Sequence, residues 1–170
     1  GINLHQLDAD LIEIQSHDQE EIALHKAEQA WKLINAPLLV DDAGIYFEKY
    51  DKFPGVMTKY LVQGVGIDGI LKLVDEGDIA TFRLRLIFAE GPSRENMQSF
   101  IGECHGTIVV PQERKAHPKL TYDEIFKPNG SDRTYAEMRL ANDGSIDKFK
   151  YRLRAIDSFV QYLKQRNESS

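Results

Sequence analysis

Two adjacent carboxylates, Asp41 and Asp42, end a short apolar run and precede Ala43-Gly44, within a stretch that spans residues 37–55. Asp and Gly are common turn residues, so this pattern is consistent with a tight turn between two strands. Carboxylates are also the side chains with which proteins hold Mg²⁺ beside substrate phosphates, so the pattern is also consistent with a metal and water site. The spacing alone leaves both interpretations open.

The residues before this stretch predict a helix that would lie beside it. Apolar side chains recur at helical spacing over residues 19–34, and Asp18 with Glu21 is typical of a capping box, so we predict an amphipathic helix here. Lys26 lies at the margin of its apolar face, where most lysines are simply solvated. Glu13 lies upstream in an irregular or extended connector.

Further elements follow from the hydrophobic pattern. Residues 80–89 alternate apolar and polar side chains and predict a half-buried strand. Residues 96–110 predict one long strand or two, in which Gly102 and Gly106 mark a bulge or a close backbone approach. In the first half of the chain we also predict a strand at 2–7, a short helix or turn at 56–66 and a helix at 67–74. In the second half we predict an irregular segment at 111–128, a turn at 129–132 and a short helix or extended segment at 133–138. The chain is predicted to end in a helix with apolar positions 149, 153, 156, 160 and 163.

The composition narrows the class of protein. The chain has 170 residues and a net charge of −6, which argues against a binder of nucleic-acid polymers because such proteins need a basic surface. No apolar run reaches the roughly 20 residues of a membrane helix, so we expect no membrane partner. Cys104 is the only cysteine, which excludes a disulfide within the chain and favours a reducing, cytoplasmic compartment.

Short motifs stand in one order over nearly the whole chain. They are Glu13-Ile14-Gln15, Glu21-Ile22-Ala23 with Lys26-Ala27, Leu39-Val40-Asp41-Asp42-Ala43-Gly44, Pro54-Gly55 with Lys59, Phe100-Ile101-Gly102, Gly106-Thr107-Ile108, Tyr122-Asp123, Ile125-Phe126 with Pro128, Thr134-Tyr135-Ala136-Glu137-Met138, and Arg152 with Ala155. No single motif is specific, but the ordered set resembles the inosine triphosphate pyrophosphatase family, which hydrolyses non-standard purine nucleoside triphosphates.

The resemblance implies a fold and a reaction. It implies a single mixed α/β domain over residues 1–170, with a long twisted central sheet flanked by helices and two lobes with a cleft between them. It also implies Mg²⁺-dependent hydrolysis of ITP, dITP or XTP to the monophosphate and pyrophosphate, by attack on the α-phosphorus, in a homodimer.

The resemblance also implies roles for individual residues. Asp42 would be the catalytic base or the carboxylate that orients water, and the metal ligands would be Glu13, Asp41 and Asp42. Lys26 and Lys59 would bind phosphates. The base of the nucleotide would be bound by Tyr122, Asp123, Tyr151 and Arg152.

Four departures from the family pattern leave an alternative open. The family's Ser/Thr-x-Asn-x-x-Lys loop does not precede Ile2, so we expect the first strand-loop-helix to be absent from this chain. Lys119-Leu120-Thr121 replaces a glycine-rich run, Tyr151 replaces a histidine, and only Lys148 or Lys150 could substitute for a further lysine. The alternatives are a degenerate member that binds a nucleotide or a protein partner without turnover, and a related hydrolase acting on modified pyrimidine or methylated nucleotides.

Overall fold

The computed structural model describes residues 3–51, 53–111 and 121–168. In these residues, five strands form one antiparallel sheet: β1 (Leu38–Phe47), β2 (Pro54–Gly55), β3 (Ile79–Ala89), β4 (Met97–Ile108) and β5 (Phe126–Pro128), in the order β2-β1-β3-β4-β5. Four helices accompany the sheet: α1 (Gln19–Ile34), α2 (Thr58–Ile70), α3 (Tyr135–Ala141) and α4 (Tyr151–Glu168). The predicted mixed α/β class is therefore confirmed.

The first helix begins and ends through local hydrogen bonds. Asp18 caps α1 by accepting a hydrogen bond from the backbone N–H of Glu20 at 2.8 Å. The predicted capping box is not formed, because Glu21 instead accepts a hydrogen bond from the hydroxyl of Ser16 at 2.7 Å. Asn35 adopts a left-handed conformation (φ 49°) and ends the helix. The predicted helix at 19–34 is thus confirmed, with a simpler cap than expected.

The paired aspartates do not form a turn. β1 runs without interruption through Asp41 and Asp42 and pairs with β3 at ten consecutive positions, so the turn interpretation is wrong. Gly44 has a different purpose, since a Cβ at this position would overlap the carbonyl of Gly55. The Thr58 hydroxyl accepts the N–H of Ile45 at 2.9 Å and completes this close contact between β1 and the start of α2.

Several other predictions need correction. Residues 3–7 have no regular secondary structure, so the predicted strand is absent there, and Ile2 lies outside the described residues. Gly66 (φ 63°) breaks α2, and the predicted helix at 67–74 is only the last turn of α2 followed by irregular backbone. The segment at 111–128 was predicted as irregular, but its end forms β5, which pairs with β4. Residues 112–120 lie outside the described residues.

The C-terminal helix was predicted correctly, but its buried face was predicted only in part: Phe149 and Leu163 pack in the core as expected. Ala155 and Phe159 are buried against β3 and β4, whereas the predicted core residues Leu153, Ile156 and Val160 are 37–41 % exposed. The helix turns its aromatic stripe inward because aromatic side chains bury more area than the aliphatic ones beside them. No helix in the described ranges is long and apolar enough to cross a membrane.

Candidate active site

A lysine between two carboxylates forms the centre of the candidate site. Lys26, on α1, places its Nζ 2.6 Å from Oε1 of Glu13 and 2.9 Å from Oδ1 of Asp42 on β1. Burial alone would lower the pKa of Lys26, but its hydrogen bonds to the two carboxylates outweigh this effect and raise it. The hydrogen bond from Lys26 also lowers the pKa of Glu13. Both Lys26 and Glu13 are therefore held in their charged forms.

The connector that carries Glu13 is fixed from two sides. The amide of Gln29 on α1 pairs with the backbone of Ile12, accepting its N–H at 2.9 Å and donating to its carbonyl at 2.7 Å. The hydroxyl of Tyr60 donates to Oε2 of Glu13 at 3.1 Å. Neither Gln29 nor Tyr60 was predicted from the sequence as part of the site. Gln29 follows Lys26 by three positions and hence shares its helix face, a signal that was available.

Asp42 is fixed through its backbone and leaves one carboxylate oxygen unpaired. Gln19 is only 4 % exposed and donates from Nε2 to the backbone carbonyl of Asp42 at 3.0 Å. Oδ2 of Asp42 is buried and has no hydrogen-bond partner among the residues that the structure describes. A buried carboxylate oxygen is unfavourable without a donor or a cation, so this atom points to a ligand.

The donor set fits Mg²⁺ better than a transition metal. The described part of the chain contains no group of three or more His, Cys, Asp or Glu side chains placed to hold a metal. Mg²⁺ does not require such a group, since it is commonly held by one or two carboxylates together with water and phosphate oxygens. Glu13 and Asp42 are such a pair, and the unpaired Oδ2 supplies a free ligand atom.

A cleft of about 690 Å³ opens beside this group. It is lined by Glu13, Ile14, Gln15, Ser16, His17, Ile22, Asp42, Val56, Met57 and Tyr60. Lys59, in the first turn of α2, is exposed, and its charge contributes to the lowered pKa of Glu13, so it lies close to the cleft. The volume is typical of small-molecule sites.

Asp41 does not lie with Asp42. Successive side chains of a strand point to opposite faces of the sheet, and Asp41 is directed toward α4, where it forms an ion pair with Arg152. Burial lowers the pKa of Arg152, without removing its charge. The structure therefore brings Asp41 together with a predicted base-binding residue, and not with the other two predicted metal ligands.

Two aromatic residues predicted to bind the base are packed against other rings. The hydroxyl of Tyr122 donates to the carbonyl of Thr58 at 3.0 Å, and the ring of Tyr122 is tilted against Phe47 with 6.5 Å between centroids. The ring of Tyr151 is parallel to that of Phe82, with 5.2 Å between their centroids. Burial raises the pKa of Tyr151 to about 12, so its phenol stays protonated at neutral pH.

The remaining predicted base-binding residue, Asp123, is largely buried beside an arginine. Its side chain is 14 % exposed, and Nε of Arg139 donates to its Oδ2 at 2.5 Å. Burial raises the pKa of Asp123, and the charge of Arg139 opposes that rise. Arg139 was not singled out in the sequence, because its partner lies 16 residues away in an unrelated element.

The two groups of residues lie on opposite faces of the sheet, separated by β1. Glu13, Lys26 and Asp42 are on one face, and Asp41 with Arg152 is on the other. β2 pairs with β1 only at Ile45 and Tyr46, so the edge of β1 before these residues has no strand partner in the described ranges.

Comparisons with known proteins place the chain among relatives of one family. The model of the Ham1 family matches residues 2–162. The dITP/XTP pyrophosphatase of Saccharolobus solfataricus is 34 % identical over 170 residues, covering 99 % of this chain and 84 % of that protein. The inosine triphosphate pyrophosphatase of Candida albicans is 34 % identical over 156 residues, covering 91 % and 73 %.

Solved structures share the fold. The Staphylococcus aureus Ham1 protein superimposes with a TM-score of 0.67 at 22 % identity, covering 94 % of this chain and 82 % of that one. A HAM1 protein from Coxiella burnetii gives a TM-score of 0.68 at 23 % identity, covering 85 % and 76 %.

Proposed function

The chain belongs to the Ham1 family, and from this premise we propose that it hydrolyses non-standard purine nucleoside triphosphates (ITP, dITP and XTP) to the monophosphate and pyrophosphate. The observation that carries the proposal is the group formed by Lys26, Glu13 and Asp42 at a cleft of about 690 Å³. Relatives named for this activity support the choice of substrate. The group supports the chemistry, because phosphoryl transfer depends on positioning and charge neutralisation.

The proposal includes Mg²⁺, held by Glu13 and Asp42. The ion would neutralise charge on the phosphates and on the pyrophosphate that leaves. Asp41 was also predicted as a metal ligand, and its position on the other face of the sheet favours a different role for it, as the partner of Arg152.

Side chains of the protein would activate the attacking water and bind the phosphates. Asp42 orients a water molecule and accepts its proton as the water attacks the α-phosphorus, whereupon the bond to the pyrophosphate oxygen breaks. Lys26 and Lys59 bind phosphate oxygens as point charges. Lys26 can do so because its amino group already lies between the two carboxylates of the site.

Recognition of the base belongs to the other face of the sheet in this proposal. Arg152 and Asp123 lie on the elements that flank this face, and Tyr122 and Tyr151 provide ring surface there. A guanidinium donates hydrogen bonds only, so Arg152 favours a 6-oxo group, which accepts them, over a 6-amino group, which donates them.

A cytoplasmic location and a homodimer complete the proposal. The single, buried Cys104 supports a reducing compartment. The exposed apolar side chains Leu153, Ile156 and Val160 on α4 offer a surface that a second copy could cover. Sedimentation velocity would determine the oligomeric state directly.

The test is pyrophosphate release with Mg²⁺ from ITP, dITP and XTP, compared with ATP and GTP. We expect kcat/KM for the non-standard nucleotides to exceed that for ATP by about 100-fold or more. Asp42→Asn should lower kcat by about 100-fold or more. Asp143→Asn is the matched control, since Asp143 forms an exposed ion pair with Arg133 away from the cleft.

The alternative that the protein binds a nucleotide without hydrolysing it has its own support. Tyr122 and Tyr151 are both packed on neighbouring rings, which is consistent with a base pocket that binds without turnover. Nucleotide binding with no pyrophosphate release from any substrate in the panel would establish this alternative and overturn the proposed activity. Release from modified pyrimidine or methylated nucleotides alone would indicate the related hydrolase.

A further inference from the structure

We propose that Arg139 is a specificity-determining residue, which together with Asp123 recognises the N1 and O6 edge of a 6-oxopurine. This inference rests on the proposed function for the identity of the ligand. Arg139 lies on α3, and Asp123 lies in the short helical turn at residues 122–124 that precedes β5. The resemblance to known enzymes pointed to Arg152 for contact with the base, and Arg139 is an additional arginine.

The ion pair between Arg139 and Asp123 uses one atom of each side chain and leaves the other polar atoms available to a ligand. Nε of Arg139 donates to Oδ2 of Asp123 at 2.5 Å. In the described part of the chain, the terminal nitrogens of Arg139 and Oδ1 of Asp123 take no part in a hydrogen bond. The pair therefore presents free donors beside a free acceptor.

The two side chains of the ion pair differ in their exposure to solvent. The Asp123 side chain is 14 % exposed and that of Arg139 is 42 % exposed, so the carboxylate is anchored while the guanidinium reaches solvent. The ring of Tyr151 packs against the core cluster that contains Tyr122 and Met138, the chain neighbours of Asp123 and Arg139. A planar base beside Tyr151 would meet the pair edge-on.

The order of donor and acceptor matches a 6-oxopurine. Hypoxanthine and xanthine present an acceptor at O6 next to a donor at N1–H. Adenine presents the reverse, a donor at the 6-amino group next to an acceptor at N1, and so places donor against donor and acceptor against acceptor. Unmatched polar groups of this kind give strong discrimination, because buried donors and acceptors lose their water without gaining a partner.

Guanine supplies an internal control, since it has the same O6 and N1–H edge as hypoxanthine. Arg139 should thus contribute to the preference for ITP over ATP, and not to the preference for ITP over GTP. An ion pair that merely joins α3 to the turn before β5 would affect all three nucleotides alike. The two ratios together separate recognition from a structural role.

The experiment compares Arg139→Met and Arg139→Lys with wild type and with Arg133→Met. Arg133 is the matched control, because it forms an exposed ion pair with Asp143 at 3.0 Å. We expect Arg139→Met to lower the ratio of kcat/KM for ITP over ATP by about 10-fold or more, as expected for loss of a charged hydrogen bond. The ratio of ITP over GTP should stay within about twofold of wild type. Arg133→Met should change neither ratio.

Arg139→Lys keeps the charge and loses the planar fork, so we expect it to fold and to lower the ratio of ITP over ATP by about threefold or more. If Arg139→Met does not fold, as judged by circular dichroism, Arg139→Lys decides the matter. A folded variant that keeps the wild-type preference for ITP over ATP, or that loses the two preferences in parallel, would overturn the inference.

Binding measurements keep this test independent of the proposed activity. Calorimetric titrations with IMP, GMP and AMP report the same ratios without turnover. A wild-type protein that binds IMP over AMP without hydrolysing ITP would refute the proposed function, while loss of that preference in Arg139→Met would still support the role of Arg139. A wild-type protein that binds IMP and AMP equally would refute the role of Arg139.

Discussion

Lys26 places one positive charge between the carboxylates of Glu13 and Asp42, which leaves the group with an excess of one negative charge. A negative group with a buried, unpaired oxygen attracts a divalent cation. In the proposed reaction, Lys26 would exchange a carboxylate for a phosphate oxygen once a cation is bound. The same three side chains would then serve both the ligand-free protein and the complex with a metal and a triphosphate.

The first prediction concerns Lys26 itself. Lys26→Met leaves two neighbouring carboxylates without their cation, and we expect the free energy of unfolding to fall by about 3 kcal/mol in the absence of Mg²⁺. Mg²⁺ should recover part of this loss, because it replaces the missing positive charge. Urea denaturation with and without Mg²⁺ measures both effects.

Lys32→Met is the control, since Lys32 is exposed in the last turn of the same helix and should change the stability little. Equal stability of Lys26→Met and wild type without Mg²⁺ would contradict the role assigned to the lysine.

At the scale of single residues, the sequence predicted which residues belong to the site better than it predicted their arrangement. Glu13, Lys26 and Asp42 were singled out, and the structure brings them together. Asp41 was grouped with Asp42 because the pair was interpreted as adjacent ligands, yet neighbours in a strand point to opposite faces. Gln19 and Tyr60 were missed because their contacts to Asp42 and Glu13 span 23 and 47 residues.

At the scale of elements, β1 positions the proposed catalytic carboxylate of Asp42 and separates the two groups of predicted site residues. Helix α1 supplies Lys26 to one face of β1, and α4 supplies Arg152 to the other. The position of α4 depends on Gly102 in β4, since a Cβ there would overlap the backbone of Tyr151 and Ala155. Gly102 was predicted to mark a bulge or a close backbone approach, and the close approach is confirmed.

The second prediction follows from this approach. Gly102→Ala should displace α4 together with Arg152, lowering the free energy of unfolding by about 3 kcal/mol and raising KM for ITP. Gly64→Ala is the matched control, because a Cβ at Gly64 in α2 meets nothing within 4 Å. We expect Gly64→Ala to increase stability by about 0.5–1 kcal/mol. A Gly102→Ala variant as stable as wild type would contradict the close packing of α4 on β4.

Elements with strong periodicity were predictable, and elements defined by distant partners were not. The helix at 19–34 and the strand at 80–89 follow from their own patterns. β5 has three residues, and its backbone is recognisable as a strand only through its pairing with β4. The predicted strand at 2–7 failed for the same reason, since residues 3–7 have an apolar pattern but no strand partner in the described ranges.

At the scale of the whole molecule, an acidic protein would bind an acidic ligand. The net charge of −6 opposes approach of a triphosphate, so in the proposed reaction the local cations Lys26 and Lys59, together with Mg²⁺, would offset it. In the described residues, Lys26 contacts β1 from one face of the sheet and Arg152 contacts it from the other. This arrangement accounts for a nucleotide whose phosphates and base are recognised by different elements.

The most direct test of this account is hydrolysis of ITP with Mg²⁺ in water enriched in oxygen-18, followed by phosphorus NMR. Attack on the α-phosphorus with Asp42 as base predicts IMP that carries the label and pyrophosphate that does not. Formation of IDP and phosphate, or label in the pyrophosphate, would contradict the reaction proposed for the site formed by Glu13, Lys26 and Asp42.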